Sequence, residues 1–271
     1  MTGKLRLALI QMDIRAGFPE HNFARLKKLL EEAAGATPKP DVILVPEMWN
    51  TGYALDRIHE LADPAGARTK EFVSEFSRRR GVNVIAGSIA ELREGREGRP
   101  DGVTNTVYGF DREGNEIAEY SKIHLFKLMD EHLHLEAGER PGRFELESVP
   151  AGVMICYDIR FPELARRLAL DGAKVLFVPA EWPHPRLHHW RTLLQARAIE
   201  NQMYVVACNR CGVSGETHFF GHSMIVDPWG EIVAEAGEEE TILTAEIDLA
   251  LTDEVRGRIP VFADRRPALY E

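Results

Sequence analysis

The chain has 271 residues, of which 44% are hydrophobic and 28% are charged, as is ordinary for a globular protein. Its formal net charge of −10 at pH 7 argues against a nucleic-acid or acidic-membrane partner. No apolar run approaches the roughly 20 residues that span a bilayer, and the N-terminus enters a strand-like run with no room for a signal peptide. Three cysteines make a poor disulfide framework and favour a reducing cytoplasm.

The first half of the chain alternates strand and helix patterns. Apolar runs predict buried strands, and apolar residues at helical spacing among charges predict amphipathic helices. These patterns place strands at residues 5–11, 41–45, 82–89, 104–110 and 116–121, and helices at residues 20–34 and 69–80. The glycine-rich, charged segment 93–102 is predicted to be a hairpin loop, and residues 111–115 a turn between two strands.

The second half repeats this alternation. Strands are predicted at residues 153–155, 175–179, 203–209, 219–226, 231–236 and 241–247, and helices at residues 162–170 and 188–201. Such alternation in both halves, with hairpins between, predicts an α/β protein of two mixed sheets faced by helices. Because no linker, low-complexity segment or repeat interrupts the chain, residues 1–271 are predicted to form a single domain.

Cys156 stands where the apolar run 153–155 ends, shortly before the helix that Pro162 begins. A cysteine at this point lies near unpaired backbone N–H groups, which stabilise a thiolate and can bind an oxyanion. The alternative is a small core hydrophobe, as free cysteines often are. This window alone favours neither interpretation.

Three charged residues, Glu47, Lys122 and Glu131, also follow apolar strands or segments. Residues just past the carboxyl ends of parallel strands line the ligand crevice, although a solvated turn or a structural ion pair explains each residue alone. Together with Cys156 they form a chemical set. A carboxylate can take the thiol proton and return it to a departing amine, and an ammonium can stabilise an oxyanion. Such a set hydrolyses an amide without a histidine or a metal.

The remaining cysteines and several histidines show no metal pattern. Cys208 and Cys211 have C-x-x-C spacing, but no second pair or His-x-His partner accompanies them, so we interpret them as structural. A site built from His184, His188 and His189 lacks a carboxylate or cysteine at matching spacing. We therefore predict no metal and no cofactor.

Three segments carry a family resemblance: residues 45–53 (VPEMWNTGY), 120–126 (YSKIHLF) and 155–163 (ICYDIRFPE). They resemble the signature segments of the nitrilase superfamily of carbon–nitrogen hydrolases. The similarity continues through residues 194–202 and 221–230 and covers nearly the whole chain. Three ordered motifs in the correct local context are far more specific than any one of them.

The resemblance implies a four-layer α-β-β-α sandwich of the nitrilase type, usually paired into dimers or larger assemblies. It implies that Glu47 is the general base, Lys122 the stabiliser of thiolate and oxyanion, and Cys156 the nucleophile. Glu131 takes the place of the family's second glutamate, with Asp130 and Glu136 as competitors. The residues assigned to substrate binding are Tyr53, Tyr157 through its backbone N–H, Arg160 and Trp182.

Within the superfamily the chain is most similar to the omega-amidase-like branch, through residues 126–132 and 181–186. This implies 2-oxoglutaramate or 2-oxosuccinamate as substrate, with deaminated glutathione or N-carbamoyl compounds as alternatives. One departure is that many omega-amidases carry Asp-Ile-Asp-Ile-Pro-Gly-Lys after His-Leu-Phe, and this chain does not. Arg160 either pairs with a substrate carboxylate or pairs structurally with Glu163 or Asp158, and Trp182 either walls the pocket or packs in the core.

The expected partners are a small amide substrate and a second copy of the chain. The segment 259–267 is expected to cross to that second subunit, an expectation that comes from the resemblance. The competing class is a non-catalytic scaffold that kept the fold and lost the chemistry. We disfavour it because every expected catalytic position holds the expected residue.

Overall fold

Two mixed β-sheets form the centre of the computed structural model, which describes residues 3–95 and 101–270. The first sheet contains β1 (Lys4–Gln11), β2 (Val42–Leu44), β3 (Asp63–Pro64), β4 (Asn83–Arg93), β5 (Gly102–Phe110), β6 (Glu116–Ser121) and β15 (Thr241–Asp248). Its order is β15-β1-β2-β4-β5-β6, with β3 paired to β4. The β1–β2 and β2–β4 pairs are parallel, whereas β4–β5 and β5–β6 are antiparallel. The carboxyl ends of β2 and β6 therefore approach the same region of the sheet.

The second sheet has the order β14-β13-β10-β9-β8-β7. These strands are β7 (Gly142–Leu146), β8 (Val149–Val153), β9 (Val175–Ala180), β10 (Tyr204–Asn209), β13 (Met224–Val226) and β14 (Ile232–Glu235). The pairs β8–β9 and β9–β10 are parallel, so the carboxyl ends of all three strands lie at one edge. A separate hairpin consists of β11 (Cys211–Ser214) and β12 (Thr217–Phe220).

The described residues form seven α-helices. They are α1 (Pro19–Gly35), α2 (Ile58–Leu61), α3 (Ala67–Arg80), α4 (Glu131–His134), α5 (Pro162–Leu170), α6 (Leu187–Asn201) and α7 (Ala250–Arg258). Of these, α1 and α3 pack on the first sheet and α5 and α6 on the second. Short 3-10 helices lie at Leu55–Arg57, Lys127–Met129, Cys156–Arg160 and Pro267–Leu269. No helix in the described ranges is both long and apolar enough to cross a membrane.

The alternation of side chains along β1 explains the layering. Leu7 and Leu9 join a buried cluster with residues of the second sheet, and that cluster also includes apolar side chains of α5 and α6. Ala8 and Ile10 join a different cluster with the buried faces of α1 and α3. Successive strand residues point to opposite faces, so one apolar strand serves both layers. The four layers, in order, are α1 with α3, the first sheet, the second sheet, and α5 with α6. This arrangement confirms the predicted four-layer α/β sandwich.

The predicted strand at residues 219–226 is wrong, because the chain breaks there into β12 and β13. Gly221 and His222 have φ values of 67° and 53°, which an extended strand does not permit. The Ser223 N–H donates to Gln11 Oε1 at 2.9 Å instead of continuing a ladder. The sequence analysis also missed β7, which pairs antiparallel with β8.

The predicted hairpin loop at residues 93–102 is observed only at its two ends. Arg93 of β4 pairs with Gly102 of β5, so the two strands are antiparallel neighbours. Residues 96–100 lie outside the described residues. After α7, Phe262 packs against the core cluster that contains Leu7 and Leu9.

Candidate active site

Glu47 stands just beyond β2, where two backbone segments approach each other closely. Gly87 of β4 has a φ of +62°, and a Cβ built there would lie 2.0 Å from the Pro46 carbonyl oxygen. Only glycine fits so close a contact at a positive φ. The Val45 N–H donates to the Ile85 carbonyl oxygen at 3.1 Å, and the Ser88 N–H donates to that of Pro46 at 3.2 Å. These contacts fix the backbone that carries the Glu47 side chain.

Lys122 immediately follows β6 and is held from both sides. Its N–H donates to the Asn105 carbonyl oxygen at 2.9 Å, and its carbonyl oxygen accepts from the Gly138 N–H at 2.8 Å. A Cβ at Gly138 would lie 2.0 Å from the Ser121 carbonyl oxygen, so the returning loop lies directly on the strand end. Glu131, which lies between Lys122 and Gly138 along the chain, begins α4. Its Oε2 accepts from the Phe126 N–H at 2.8 Å.

The three charged side chains meet in a fully buried cluster. Lys122 Nζ lies 2.8 Å from Glu47 Oε1 and 2.7 Å from Glu131 Oε1, and the side chains of all three are 0% exposed. The Tyr53 hydroxyl lies 2.9 Å from Glu47 Oε1 and 2.5 Å from Glu131 Oε1. Asn105 Nδ2 donates to Glu47 Oε1 at 2.8 Å. We call Glu47, Lys122, Glu131 and Tyr53 the charged cluster.

Electrostatics keeps Lys122 a cation in the charged cluster. Burial by itself lowers the pKa of Lys122, but the Glu131 and Glu47 carboxylates act in the opposite direction, so the pKa lies well above its ordinary value. Burial, followed by the same two carboxylates, raises the pKa of Tyr53 well above its usual range. Its hydroxyl therefore stays protonated and donates to a carboxylate.

Cys156 is held in a strained conformation by a buried carboxylate. Its φ is +45°, a conformation that costs a non-glycine residue about 1–3 kcal/mol and persists only where the surrounding structure imposes it. Asp158, fully buried two residues later, accepts at Oδ2 from the Ile155 N–H at 2.9 Å and from the Tyr120 hydroxyl at 2.7 Å. Its Oδ1 accepts from the His124 N–H at 3.1 Å. Asp158 thus ties the turn that carries Cys156 to the chain just after β6.

The surroundings of Cys156 favour its thiol form over the thiolate. Burial first and the Glu47 carboxylate second raise its pKa well above the ordinary value, and Lys122 opposes them only in part. Burial is the largest of these effects, so the sulfur needs a base to take its proton.

A narrow cavity of about 10 Å³ opens at Cys156. Ten residues line it: Tyr53, Phe126, Met129, Cys156, Tyr157, Arg160, Glu181, Trp182, Pro183 and Arg186. All four residues that the sequence analysis assigned to substrate binding are among them. Two larger clefts elsewhere on the described surface do not include Cys156 in their linings.

Two arginines at this cavity have no carboxylate within ion-pair distance in the described ranges. Arg160 lies over the Trp182 ring, 4.8 Å from its centroid, and 3.3 Å from His189 Nδ1. It pairs with neither Asp158 nor Glu163 among the described residues, so the structural alternative for Arg160 is not observed. Burial lowers its pKa, Tyr157 opposes that, and the positive charge of Arg186 lowers it further. We call Arg160 and Arg186 the arginine pair.

Trp182 both packs in the core and lines the cavity, which are the two alternatives that the sequence left open. It is 3% exposed and packs on Trp190 with ring centroids 5.5 Å apart, and it also lines the cavity. Its indole N–H donates to the Arg186 carbonyl oxygen at 3.1 Å. Trp182 therefore fixes the backbone of one member of the arginine pair.

The competitors for the place of Glu131 lie elsewhere. Asp130 is exposed, in a left-handed conformation just before α4. Glu136 is exposed and lies against Gly102 in a different cleft. Neither contacts Lys122 within the described residues, because α4 turns only Glu131 inward.

Sequence reasoning missed two polar residues that contact Glu47. Asn105 lies within the polar triplet Thr104-Asn105-Thr106 of buried β5, and Glu181 follows the apolar strand β9 directly. The Glu181 N–H donates to Glu47 Oε2 at 2.8 Å. The rule that singled out Glu47 and Lys122, a charged residue just past a strand's carboxyl end, would also have found Glu181.

The cysteine pair and the histidines differ in their surroundings. Cys208 and Cys211 are buried and free, and the Cys208 thiol donates to the Ile10 carbonyl oxygen at 3.3 Å. His184 joins His218 and Glu238 in a surface group whose potential ligand atoms lie within 4.8 Å of one another. That group contains neither His188 nor His189, which the sequence analysis had considered with His184.

Comparisons with known proteins identify the family of this chain. Residues 6–257 match the family model described as carbon-nitrogen hydrolase. The chain is 47% identical over 267 residues to a 2-oxoglutaramate amidase of Bacillus subtilis (strain 168), covering 98% of this chain and 100% of the relative. It is 33% identical to an omega-amidase of Danio rerio, covering 98% and 96% of the two chains.

A solved structure gives the same picture of the fold. The crystal structure of Saccharomyces cerevisiae Nit3, described as a member of branch 10 of the nitrilase superfamily, matches with a TM-score of 0.86 at 31% identity. The match covers 95% of this chain and 94% of Nit3. The family resemblance stated from the sequence is thereby confirmed.

Proposed function

Because the chain belongs to the carbon–nitrogen hydrolase family, we propose that it hydrolyses the terminal carboxamide of 2-oxoglutaramate or 2-oxosuccinamate through a thioester on Cys156. The observation that carries this proposal is the buried Lys122 ammonium between Glu47 and Glu131, beside the cavity that holds Cys156. The 2-oxoglutaramate amidase similarity supports the substrate class.

In the acylation step Glu47 is the general base. It takes the thiol proton as the sulfur attacks the amide carbon, since the raised pKa of Cys156 leaves little thiolate before substrate binds. The new C–S bond converts the carbonyl into an oxyanion, which the Lys122 ammonium and the Tyr157 backbone N–H stabilise. Glu47 then returns the proton to the nitrogen, the C–N bond breaks, and ammonia leaves.

In deacylation Glu47 acts again as the general base, this time on water. Glu47 takes a proton from water as the water oxygen attacks the thioester carbon. The C–S bond breaks, the sulfur regains the proton, and the free acid leaves. Glu131 is a positioning residue in both steps, because its Oε1 holds Lys122 at 2.7 Å.

The arginine pair supports an anionic substrate. Arg160 and Arg186 line the cavity as cations without a carboxylate partner in the described ranges. A guanidinium pairs with a carboxylate through two parallel hydrogen bonds, so the carboxylate of a 2-oxo acid fits this end of the cavity. The carboxamide then lies at the other end, against Cys156 and the charged cluster.

Replacing the nucleophile tests the proposed chemistry. Cys156→Ala should abolish ammonia release from 2-oxoglutaramate, because no other group can form the thioester. Cys208→Ala is a matched control: that buried thiol bonds to the Ile10 carbonyl oxygen, and the variant should keep its activity. Ammonia is measured by an enzyme-coupled assay, and hydroxylamine should trap the acyl group as a hydroxamate. Undiminished activity in Cys156→Ala would end the proposal.

We propose further that the chain acts as one domain in the cytoplasm, as a homodimer. Exposed apolar side chains near the end of α6 and beside α7 support an interface: Ile199 is 53% exposed, Trp229 37% and Ile259 48%. Ile199 and the Trp229 turn are adjacent, since a Cβ at Gly230 would lie 2.4 Å from Ile199. Light scattering at micromolar concentration should give twice the chain mass, and a monomer would contradict the dimer.

A further inference from the structure

Glu181 is a buried carboxyl group that the mechanism above does not use. It follows β9 and is 1% exposed, and it lines the cavity that contains Cys156. One oxygen, Oε2, lies 3.3 Å from Arg210 Nη1. The other, Oε1, is buried and has no hydrogen-bond partner among the described residues. Buried acceptors in folded proteins almost always have a partner, so a lone one at a cavity indicates a bound group.

The Glu181 side chain is anchored on its far side. Arg210 is fully buried, and besides Glu181 it donates to the Ile14 carbonyl oxygen at 2.6 Å and to Asp13 at 3.0 Å. Its planar guanidinium cannot follow Glu181 into the cavity without losing these bonds. The backbone of Glu181 is equally fixed, because its N–H donates to Glu47 Oε2. The free oxygen therefore has a defined place beside the general base.

The protonation state of Glu181 decides whether its free oxygen can only accept a hydrogen bond or can also donate one. The pKa of Glu181 is raised to about 8, chiefly by burial. The positive charge of Arg210 opposes this rise, the Glu47 carboxylate adds to it, and Lys122 opposes it. Because Arg210 donates to Oε2, a proton on this carboxyl would occupy Oε1, so Oε1 acts as a pure acceptor only in the carboxylate form. Amide and ester rates are therefore compared above about pH 8, where the carboxylate form predominates.

We propose that the free carboxyl oxygen of Glu181 accepts a hydrogen bond from the substrate's amide nitrogen and makes the enzyme select amides over esters. This inference rests on the proposed amidase function. A primary amide has two N–H groups and needs an acceptor for each, whereas an ester oxygen has none. In the tetrahedral intermediate the nitrogen must turn its lone pair toward the proton on Glu47. An acceptor that holds an N–H on another side fixes that orientation.

Glu181→Gln is the decisive variant, since it keeps the shape of the side chain. Arg210 donates to the side chain, so the glutamine oxygen will face Arg210 and its NH₂ will face the cavity, where it meets the substrate N–H as a second donor. We expect kcat/KM for 2-oxoglutaramate to fall about 10- to 100-fold, the usual loss when a buried polar partner is removed. For the distal methyl ester of 2-oxoglutarate it should stay within about twofold, because that substrate offers no N–H.

Two further measurements keep the test decisive. Asp13→Asn alters the other ion pair of Arg210 and should leave the ratio of amide to ester rates unchanged; a matching drop there would assign the effect to Arg210.

Binding is measured by calorimetry in the Cys156→Ala background, with and without Glu181→Gln, so that it does not depend on turnover. In the Cys156→Ala background, Glu181→Gln should weaken binding of 2-oxoglutaramate and leave binding of the methyl ester unchanged.

Equal losses for amide and ester, or an undiminished amide rate, would overturn the role of Glu181. Failure of the wild-type protein to release ammonia from any small amide would instead overturn the proposed function. The two failures are therefore distinguishable in the same set of assays.

Discussion

The charged cluster and the arginine pair meet at one cavity, which Tyr53 of the cluster and both arginines line, but they are built differently. In the charged cluster every charge has an opposite charge within 3 Å, and Lys122, Glu47 and Glu131 are 0% exposed. In the arginine pair two like charges share the cavity, and neither has a carboxylate within ion-pair distance in the described parts of the chain. In the charged cluster both carboxylates are paired with the Lys122 ammonium before substrate binds. The arginine pair has no such counter-ion among the described residues.

This difference separates chemistry from selection. A buried, fully paired network has little freedom, and its groups are already placed when charge develops on the substrate. An unpaired pair of guanidinium groups at a cavity wall instead favours whichever ligand brings a negative charge. The two regions should therefore respond differently to substitution, the charged cluster in kcat and the arginine pair in KM.

The largest expected effect comes from Lys122→Met. It removes the cation that holds two buried carboxylates and stabilises the oxyanion, so kcat should fall at least about 10³-fold. Because one partner of a buried ion pair is lost, the free energy of unfolding should fall by about 3–5 kcal/mol. Both quantities are measurable, by ammonia release and by urea denaturation. The pKa of the Cys156 thiol should also rise, since Lys122 lowers it, so iodoacetamide should label the variant more slowly at a given pH.

Lys174→Met is the matched control for this change. Lys174 pairs with Asp253 at 2.6 Å on the surface, where an ion pair contributes about 0–1 kcal/mol. The control should keep its activity and nearly all its stability. A Lys122→Met variant with kcat close to that of the wild type would mean that the charged cluster is structural and that the comparison with the arginine pair fails.

A smaller effect is expected from Arg160→Gln. KM for 2-oxoglutaramate should rise about 10- to 100-fold, because an ionic partner of the substrate carboxylate is lost, while kcat should change little. Pentanamide, which lacks the carboxylate, should show the same KM with both enzymes. Steady-state ammonia assays on the two substrates give the comparison directly.

Arg167→Gln tests whether loss of any nearby arginine has the same effect. Arg167 lies seven residues further along the chain and pairs with Asp171 at 3.1 Å on exposed α5. This variant should match the wild type on both substrates. If Arg160→Gln raised KM equally for pentanamide and 2-oxoglutaramate, Arg160 would act through packing on Trp182 rather than by binding a carboxylate.

Local patterns were sufficient for most regular elements. The helix predicted at residues 162–170 is α5 with the same bounds, because Pro162 defines its start and an apolar stripe its buried face. The strand predicted at 219–226 was wrong because Gly221 and His222 take positive φ values that depend on contacts with distant residues. Periodicity alone cannot detect such a break.

By itself the sequence determined the family, the two mixed sheets and the residue types needed for amide hydrolysis, since each of these depends on short segments whose chemistry is local. Only the tertiary structure decided that Glu47, Lys122 and Glu131 share one buried network, that the surroundings of Cys156 favour its thiol form, and that Arg160 has neither Asp158 nor Glu163 as a partner. The position of Glu181 just past β9 could be read from the sequence, but only the tertiary structure showed that one of its oxygens is buried without a partner among the described residues. The physical reason is that burial and the packing of distant segments set these charges and contacts.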